Sequence, residues 1–366
     1  MLTLLHVVGA RPNFMKLAPV LRAGEAAGDV RQLVVHTGQH YDHVMSDRFF
    51  EDLGIRAPDV NLEVGSGTHA EQTATIMSRF EPVLDADRPD WVVVYGDVNS
   101  TVACALVAVK KGIHIAHVEA GLRSRDRSMP EEINRLVTDQ LADLLLTPSR
   151  DADRNLEAEG IPSERIRFVG NVMVDTLLRL RERARALKMP ERYGLEESRY
   201  AFVTLHRPSN VDQVETLREL LLGLEDLAAR VPVVFAVHPR TRDRMARFDL
   251  KGVAPSVRYV DPLGYLETVS LVERSALVLT DSGGLQEETT VLGIPCLTAR
   301  PNTERPVTVT EGTNRLVASR REAIGEAVET VLANGGGPDV APRRPEGWDG
   351  RAGERVVEAI RGSSQG

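Results

Sequence analysis

Short apolar, β-branched runs alternate with amphipathic stretches along almost the whole chain. The strand-like runs are "LTLLHVV", "RQLVVHT", "DWVVVYG", "HIAHVE", "LLLTP" and "IRFVG", followed by "YAFVTL", "VPVVFAV", "VRYV", "ALVLT" and "PCLT". Between them lie helical patterns such as "NFMKLAPVLRAGEAA", "STVACALVAVKK", "PEEINRLVTDQLA" and "VETLRELLLGLEDLAAR". Continuous apolar strands separated by amphipathic helices predict an α/β fold with parallel sheets and right-handed crossovers. The runs fall into two successive groups, so two doubly wound, Rossmann-like domains are expected, residues 1–172 and 173–350. Their boundary lies near the charged helical stretch "LRLRERARALKMPERYGLEES". A Gly/Pro/Arg-rich stretch, "ANGGGPDVAPRRPEGWDG", interrupts the pattern late in the chain. The last amphipathic helix, within 351–366, is expected to rejoin the first domain. Open α/β sheets bind ligands at the carboxyl ends of their strands, so two such domains facing a cleft would offer one site between them.

Length and composition narrow the class without changing that picture. A chain of 366 residues can hold two cores of ordinary size, and 42% hydrophobic with 27% charged residues is normal for a globular protein. The net charge of -8 argues against nucleic acid as a partner, because phosphate backbones need a cationic surface. Both cysteines, Cys104 and Cys296, sit in apolar segments and read as reduced core thiols of a cytoplasmic protein. The N-terminus reads as a first strand rather than a signal peptide, and no apolar run approaches membrane-spanning length. No metal-ligand spacing is present.

Candidate chemistry gathers at the ends of the strand-like runs. After the first comes "GARPNFMKLAPV", where Arg11 and Lys16 flank a helix beginning near Pro12. Cations at a helix N-terminus oppose its dipole, which makes sense if an anion binds there; a solvated basic turn is the plain alternative. The G-x-G-x-x-G fingerprint, the Walker loop and HExxH are all absent, so neither nicotinamide nor P-loop chemistry gains support. "TGQHYDHVM" brings Gln39 and His40, which could equally satisfy loop backbone groups. Asp97 follows the third apolar strand in "VYGDVNSTVA", as a turn residue or a catalytic carboxylate. In "HIAHVEAGLRS", Glu119 lies so close to a buried strand end that it needs a partner, for which Arg123 or Arg125 is a candidate. "MPEEINR" opens a helix with Glu131 and Glu132, where dipole complementation suffices as an explanation, above all for Glu132.

The second half repeats the theme. His206 and Arg207 follow one strand in "TLHRPSN", and His238 and Arg240 follow the next in "VHPRT", a pairing that favours an anion site. "TDSGGLQEE" adds Ser282, Gly283 and Gly284, whose backbone can approach and donate to phosphate, and Glu288, which can accept from ribose hydroxyls. Arg305 in "TERP" supplies a further cation. Glycines for a diphosphate and a carboxylate for a sugar together point to a nucleotide sugar.

These motifs, in this order over nearly the whole chain, resemble the non-hydrolysing UDP-N-acetylglucosamine 2-epimerase family. The resemblance implies two Rossmann-like domains in the GT-B arrangement and a homodimer. It also implies reversible C2 inversion of UDP-N-acetylglucosamine (UDP-GlcNAc) to UDP-N-acetylmannosamine (UDP-ManNAc). The implied route is anti elimination of UDP to a 2-acetamidoglucal, followed by re-addition, with neither redox cofactor nor metal. It assigns Asp97, Glu119, Glu131 and His206 to the acid–base group. Arg11, Lys16, His238, Ser282, Gly283, Gly284, Glu288 and Arg305 are assigned to nucleotide-sugar contacts. Some bacterial relatives bind a second UDP-GlcNAc as activator through a loop reading QHxQM. This chain keeps Gln39 and His40 there but has Asp42 in place of the glutamine. The "HYD" form also occurs in relatives acting on other UDP-2-acetamido sugars. A hydrolysing epimerase and a GT-B glycosyltransferase share much of this machinery.

Overall fold

Strands buried on both faces read as unbroken apolar runs, because crossover helices cover each side of the sheet. The computed structural model describes residues 1–39, 52–338 and 344–364, with the side chain of Arg11 excepted. The chain divides into two compact units: Met1–Arg179 with Glu346–Gly366, and Leu180–Pro345.

The first unit holds β1 (Leu2–Val8), β2 (Val30–His36), β3 (Val60–Asn61), β4 (Trp91–Tyr95), β5 (His114–Val118), β6 (Leu144–Thr147) and β7 (Ile166–Phe168). They form one sheet in the order β3-β2-β1-β4-β5-β6-β7, with every pairing parallel. The second unit holds β8 (Ala201–Thr204), β9 (Val233–Ala236), β10 (Arg258–Val260), β11 (Leu277–Thr280), β12 (Cys296–Ala299) and β13 (Asn314–Val317). Its order is β10-β9-β8-β11-β12-β13, again parallel throughout. All eleven strands expected from the apolar runs are present. The two added strands, β3 and β13, are both sheet edges. An edge strand packs against one neighbour only and so needs no long apolar run: β3 has two residues, and in β13 Asn314 is buried while Arg315 is exposed.

Each sheet has one place where the chain order reverses: between β1 and β4 in the first unit, and between β8 and β11 in the second. Connections leaving two such strands depart to opposite faces and open a crevice at their carboxyl ends. Strand register brings those ends level. Val7 pairs with Val94 and Tyr95 with Val118, so the turns carrying Gly9, Asp97 and Glu119 leave neighbouring strands together. Likewise Thr204 pairs with Thr280, which aligns the turn at His206 with the one at Ser282.

Both cysteines are buried free thiols. Among the described residues no helix is long and apolar enough to cross a membrane. The last helix, Ala352–Ser363, belongs to the first unit and packs on the helix Arg11–Ala27. Asp175 accepts a hydrogen bond from Gly353 N at 2.8 Å and satisfies one of that helix's first N–H groups. Where the two helices touch, Gly353 lies against Pro19, and a Cβ added there would come 2.7 Å from Pro19 C and O. Because the obstacle is backbone, it cannot rotate away. Gly353→Val is therefore expected to lower stability by about 1–3 kcal/mol, read as a lower denaturant midpoint of the full chain. An unchanged midpoint would show that this docking contributes nothing.

Candidate active site

In the first unit the candidate residues meet at the β1/β4/β5 ends. Lys16, 5% exposed on the helix Arg11–Ala27, forms an ion pair with the buried Glu119 carboxylate. The sequence suggested Arg123 or Arg125 as the partner of Glu119; the structure corrects this to Lys16. Arg123 turns instead to Asp139 and Glu159, both at 2.7 Å, and Arg125 donates to Asn155. Gly96 explains how Lys16 arrives. At φ +65 it takes a left-handed turn, and a Cβ there would stand 2.6 Å from Lys16 Nζ. Glu119 itself has φ +72, an unusual conformation for a residue with a side chain.

Asp97, next in the chain to Gly96, is gripped by Arg135, whose Nη2 lies 2.6 Å and Nε 3.1 Å from Asp97 Oδ2. Arg135 also reaches Glu132 at 2.5 Å. Glu132 is more than a dipole complement. It is buried and accepts hydrogen bonds from Ser124 N, Ser124 Oγ and Arg125 N. Burial opposes its ionisation, yet these donors and the Arg135 charge hold its carboxyl below the usual range. Glu131 begins the same helix, Pro130–Leu141, half-buried beside this network. The sequence reading passed over Arg135, although its i+3 spacing from Glu132 was a usable signal.

Two further groups brace the turns. Asn13 Oδ1 accepts from Gly9 N at 3.2 Å and Ala10 N at 3.0 Å, while its Nδ2 donates to Tyr95 O. His117, fully buried, sits between Asp139 at 2.6 Å and Gly96 O at 2.8 Å. Gln39 is buried, and its Oε1 accepts from Ser100 N and Oγ, which gives it a bracing role within the unit. His40 and the rest of that loop through residue 51 lie outside the described residues, as does the Arg11 side chain.

In the second unit the candidates collect at the β8/β11 ends. The helix Gly283–Leu292 starts immediately after Ser282, whose side chain makes no capping bond to the first N–H groups of the helix, while the Ser282 N–H donates to Thr280 Oγ1 at 3.0 Å. A Cβ on Gly283 would stand 2.7 Å from Arg305 Nη1 and 2.9 Å from Glu304 Oε1. Arg305, 7% exposed, pairs with Glu287 at 2.8 Å and Glu304 at 2.5 Å. Glu304 also holds Arg300 at 2.7 Å and has Arg207 at 3.8 Å. Three arginines and the carboxylates of Glu287, Glu304 and Asp281 thus gather beside a helix N-terminus, whose first N–H groups are the feature that attracts anions. Arg240 is spoken for in another way: it pairs with Asp212.

His206 and His238 lie with ring centroids 5.4 Å apart. His238 caps the helix Pro239–Arg247, its Nδ1 accepting from Arg240 N at 3.2 Å. His206 is anchored by Asp281, a fully buried residue that the sequence reading quoted within its motif but gave no role. Glu288 lies on the second turn of its helix and is buried, which pushes its carboxyl up to about 8; the Tyr265 hydroxyl opposes that rise and the Glu287 charge adds to it. Among the described residues no cluster of three or more His, Cys, Asp or Glu is placed to hold a metal ion.

Two parallel α/β units, each with polar and charged turns at its switch point, define an enzyme of the doubly wound class. Residues 22–361 match the family described as UDP-N-acetylglucosamine 2-epimerase, and the chain belongs to that family. A UDP-N-acetylglucosamine 2-epimerase of Methanocaldococcus jannaschii is 41% identical, with 97% of each chain covered. A UDP-2,3-diacetamido-2,3-dideoxy-D-glucuronate 2-epimerase of Pseudomonas aeruginosa is 43% identical over 90% of this chain and 92% of its own. The crystal structure of the M. jannaschii enzyme with UDP-GlcNAc and UDP superposes with a TM-score of 0.88 at 40% identity, covering 98% of this chain and 99% of that one.

Glu288 makes stability depend on pH. Its carboxyl titrates near 8 in the folded chain and near its ordinary 4.5 when unfolded. The folded state therefore holds the proton more tightly, and this contribution is full below about 4.5 and lost as pH rises through 8. The loss is of order a few kcal/mol. Thermal midpoints of the wild type should fall between pH 5 and pH 9 more steeply than those of Glu288→Gln. Parallel pH profiles would exclude the buried, protonated form.

Proposed function

We propose that the protein interconverts UDP-GlcNAc and UDP-ManNAc by inversion at C2. Family membership over nearly the whole chain carries this reading. The helix-start N–H groups of Gly283 and Gly284 and the Ser282 hydroxyl suit the diphosphate, with Arg305 and His238 as added donors; the Ser282 N–H itself donates to Thr280 Oγ1. Glu288 suits the ribose. Lys16 and Arg11 suit an anionic or polar part of the sugar nucleotide. The carboxylates Asp97, Glu119 and Glu131 and the imidazole of His206 are the proton-transfer group.

The chemistry agrees with these assignments. A C2–H is weakly acidic and needs a positioned base, while a departing diphosphate needs cations and N–H donors. Anti elimination breaks the C2–H and C1–O bonds, giving a 2-acetamidoglucal and UDP. Re-addition of UDP at C1 and of a proton at C2 from the opposite face completes the inversion. The 43% identity to the diacetamido-glucuronate epimerase supports a second reading, in which the substrate is a more decorated UDP-2-acetamido sugar. The family resemblance supports a homodimer, and the two buried thiols support a cytoplasmic location.

Incubation with UDP-GlcNAc alone in deuterated water tests the proposal. The expected product is UDP-ManNAc carrying solvent deuterium at C2. Free ManNAc would mean a hydrolysing enzyme, absence of turnover would favour a transferase, and turnover only of a diacetamido uronate would select the second reading. Epimerised product without C2 deuterium would falsify the elimination route. Amide replacement of Asp97, Glu119 or Glu131 is expected to reduce kcat by about 10²- to 10⁴-fold, with UDP affinity little changed in calorimetric titration. A comparable loss of UDP affinity would move these residues to the binding group.

A further inference from the structure

We propose that Asp281 is the positioning residue for proton transfer at His206: it holds the proton on Nδ1, so that Nε2 is the nitrogen that exchanges it. The role assigned to His206 rests on the epimerase reading; the tautomer itself does not.

The argument begins with what the Asp281 carboxylate touches. It is fully buried, and its hydrogen-bond partners among the described residues are donors. His206 N donates to it at 2.9 Å, Arg207 N at 2.8 Å and Asn210 Nδ2 at 3.0 Å. Burial opposes the charge, and these donors with His206 more than offset it, so the carboxyl titrates below its ordinary range. An ionised carboxylate is an acceptor only. His206 Nδ1, 2.9 Å from Asp281 Oδ1, must therefore carry hydrogen. That leaves the Nε2 lone pair of the neutral ring for chemistry, on a side chain still 37% exposed.

The neighbouring ring is set the other way. His238 Nδ1 accepts from the Arg240 backbone N–H, a group that can only donate, so the neutral His238 ring carries its hydrogen on Nε2. Thr241 Oγ1 donates to Leu205 O at 2.5 Å and ties the His238 helix to the residue before His206. Two adjacent imidazoles thus hold opposite tautomers: His206 offers an acceptor at Nε2, and His238 offers a donor there. When Nε2 of His206 takes a proton, the imidazolium formed faces the Asp281 charge; when it returns the proton, the original tautomer is restored. No other species is consumed.

The test uses the full chain in two arms. Nitrogen-15 spectra of the ligand-free protein, with the histidines assigned by single substitution, should show His206 protonated at Nδ1 and His238 at Nε2 at a pH where both rings are neutral. His206 found protonated at Nε2 would overturn the proposal whatever the enzyme's substrate. In the second arm, Asp281→Asn should lower kcat by about 10²- to 10⁴-fold while the dissociation constant for UDP stays within about threefold. In a His206→Asn background the same Asp281 change should cost less than about threefold, because its effect passes through the ring that has been removed. Equal losses in both backgrounds would reduce Asp281 to a support of the fold and overturn its positioning role. Lack of epimerase activity in the wild type would instead refute the functional reading, leaving the spectra to decide the tautomer.

Discussion

Desolvation governs this molecule: Glu119, Glu132 and Asp139 are carboxylates buried beside the strand-end turns of the first unit, so each charge must find its counter-charge within the protein. Lys16 answers Glu119, Arg135 answers both Asp97 and Glu132, and Asp139 is shared by His117 and Arg123. Such pairs are stronger constraints on geometry than on stability. Removing one partner strands the other, and this fixes the turns at Gly96 and Glu119 relative to the helices Arg11–Ala27 and Pro130–Leu141.

The second unit meets the same constraint by a different route. Its turn at Ser282 relies on backbone N–H groups and on a group of arginines that Glu287 and Glu304 keep in place. The carboxylates there limit the repulsion among like charges, and with Asp281 beside them the three arginines are balanced, so the helix start itself supplies the donors. A site for a diphosphate needs such donors, and backbone N–H groups give them without the rotamer entropy of long side chains.

Much of this was legible in the sequence, because the informative residues sit directly after apolar strands. The runs "WVVVY" and "ALVLT" mark β4 and β11, and the polar groups that follow them form the candidate site. The edge strands β3 and β13 were not legible, since one covered side leaves little hydrophobic signal. The partner of Glu119 escaped for another reason. Arg123 and Arg125 are near it in the chain, whereas Lys16 reaches it across the β1/β4 switch point, a proximity that exists only once the strand order is known. Arg135 and Asp281 lay inside quoted motifs, but their roles depend on which side chain faces which, and linear spacing does not contain that.

The left-handed backbone at Glu119 has a consequence of its own. A residue with a side chain pays roughly 1 kcal/mol or more to hold φ +72, and a glycine there would relax the main chain at no steric cost. The same glycine would deprive Lys16 of the carboxylate it is paired with. That relief is smaller than the ~3–5 kcal/mol an unpaired buried charge costs, so the pairing with Lys16 is what holds Glu119 in this conformation, and a library of variants screened for thermal endurance alone would retain at this position the side chain that the proposed reaction needs.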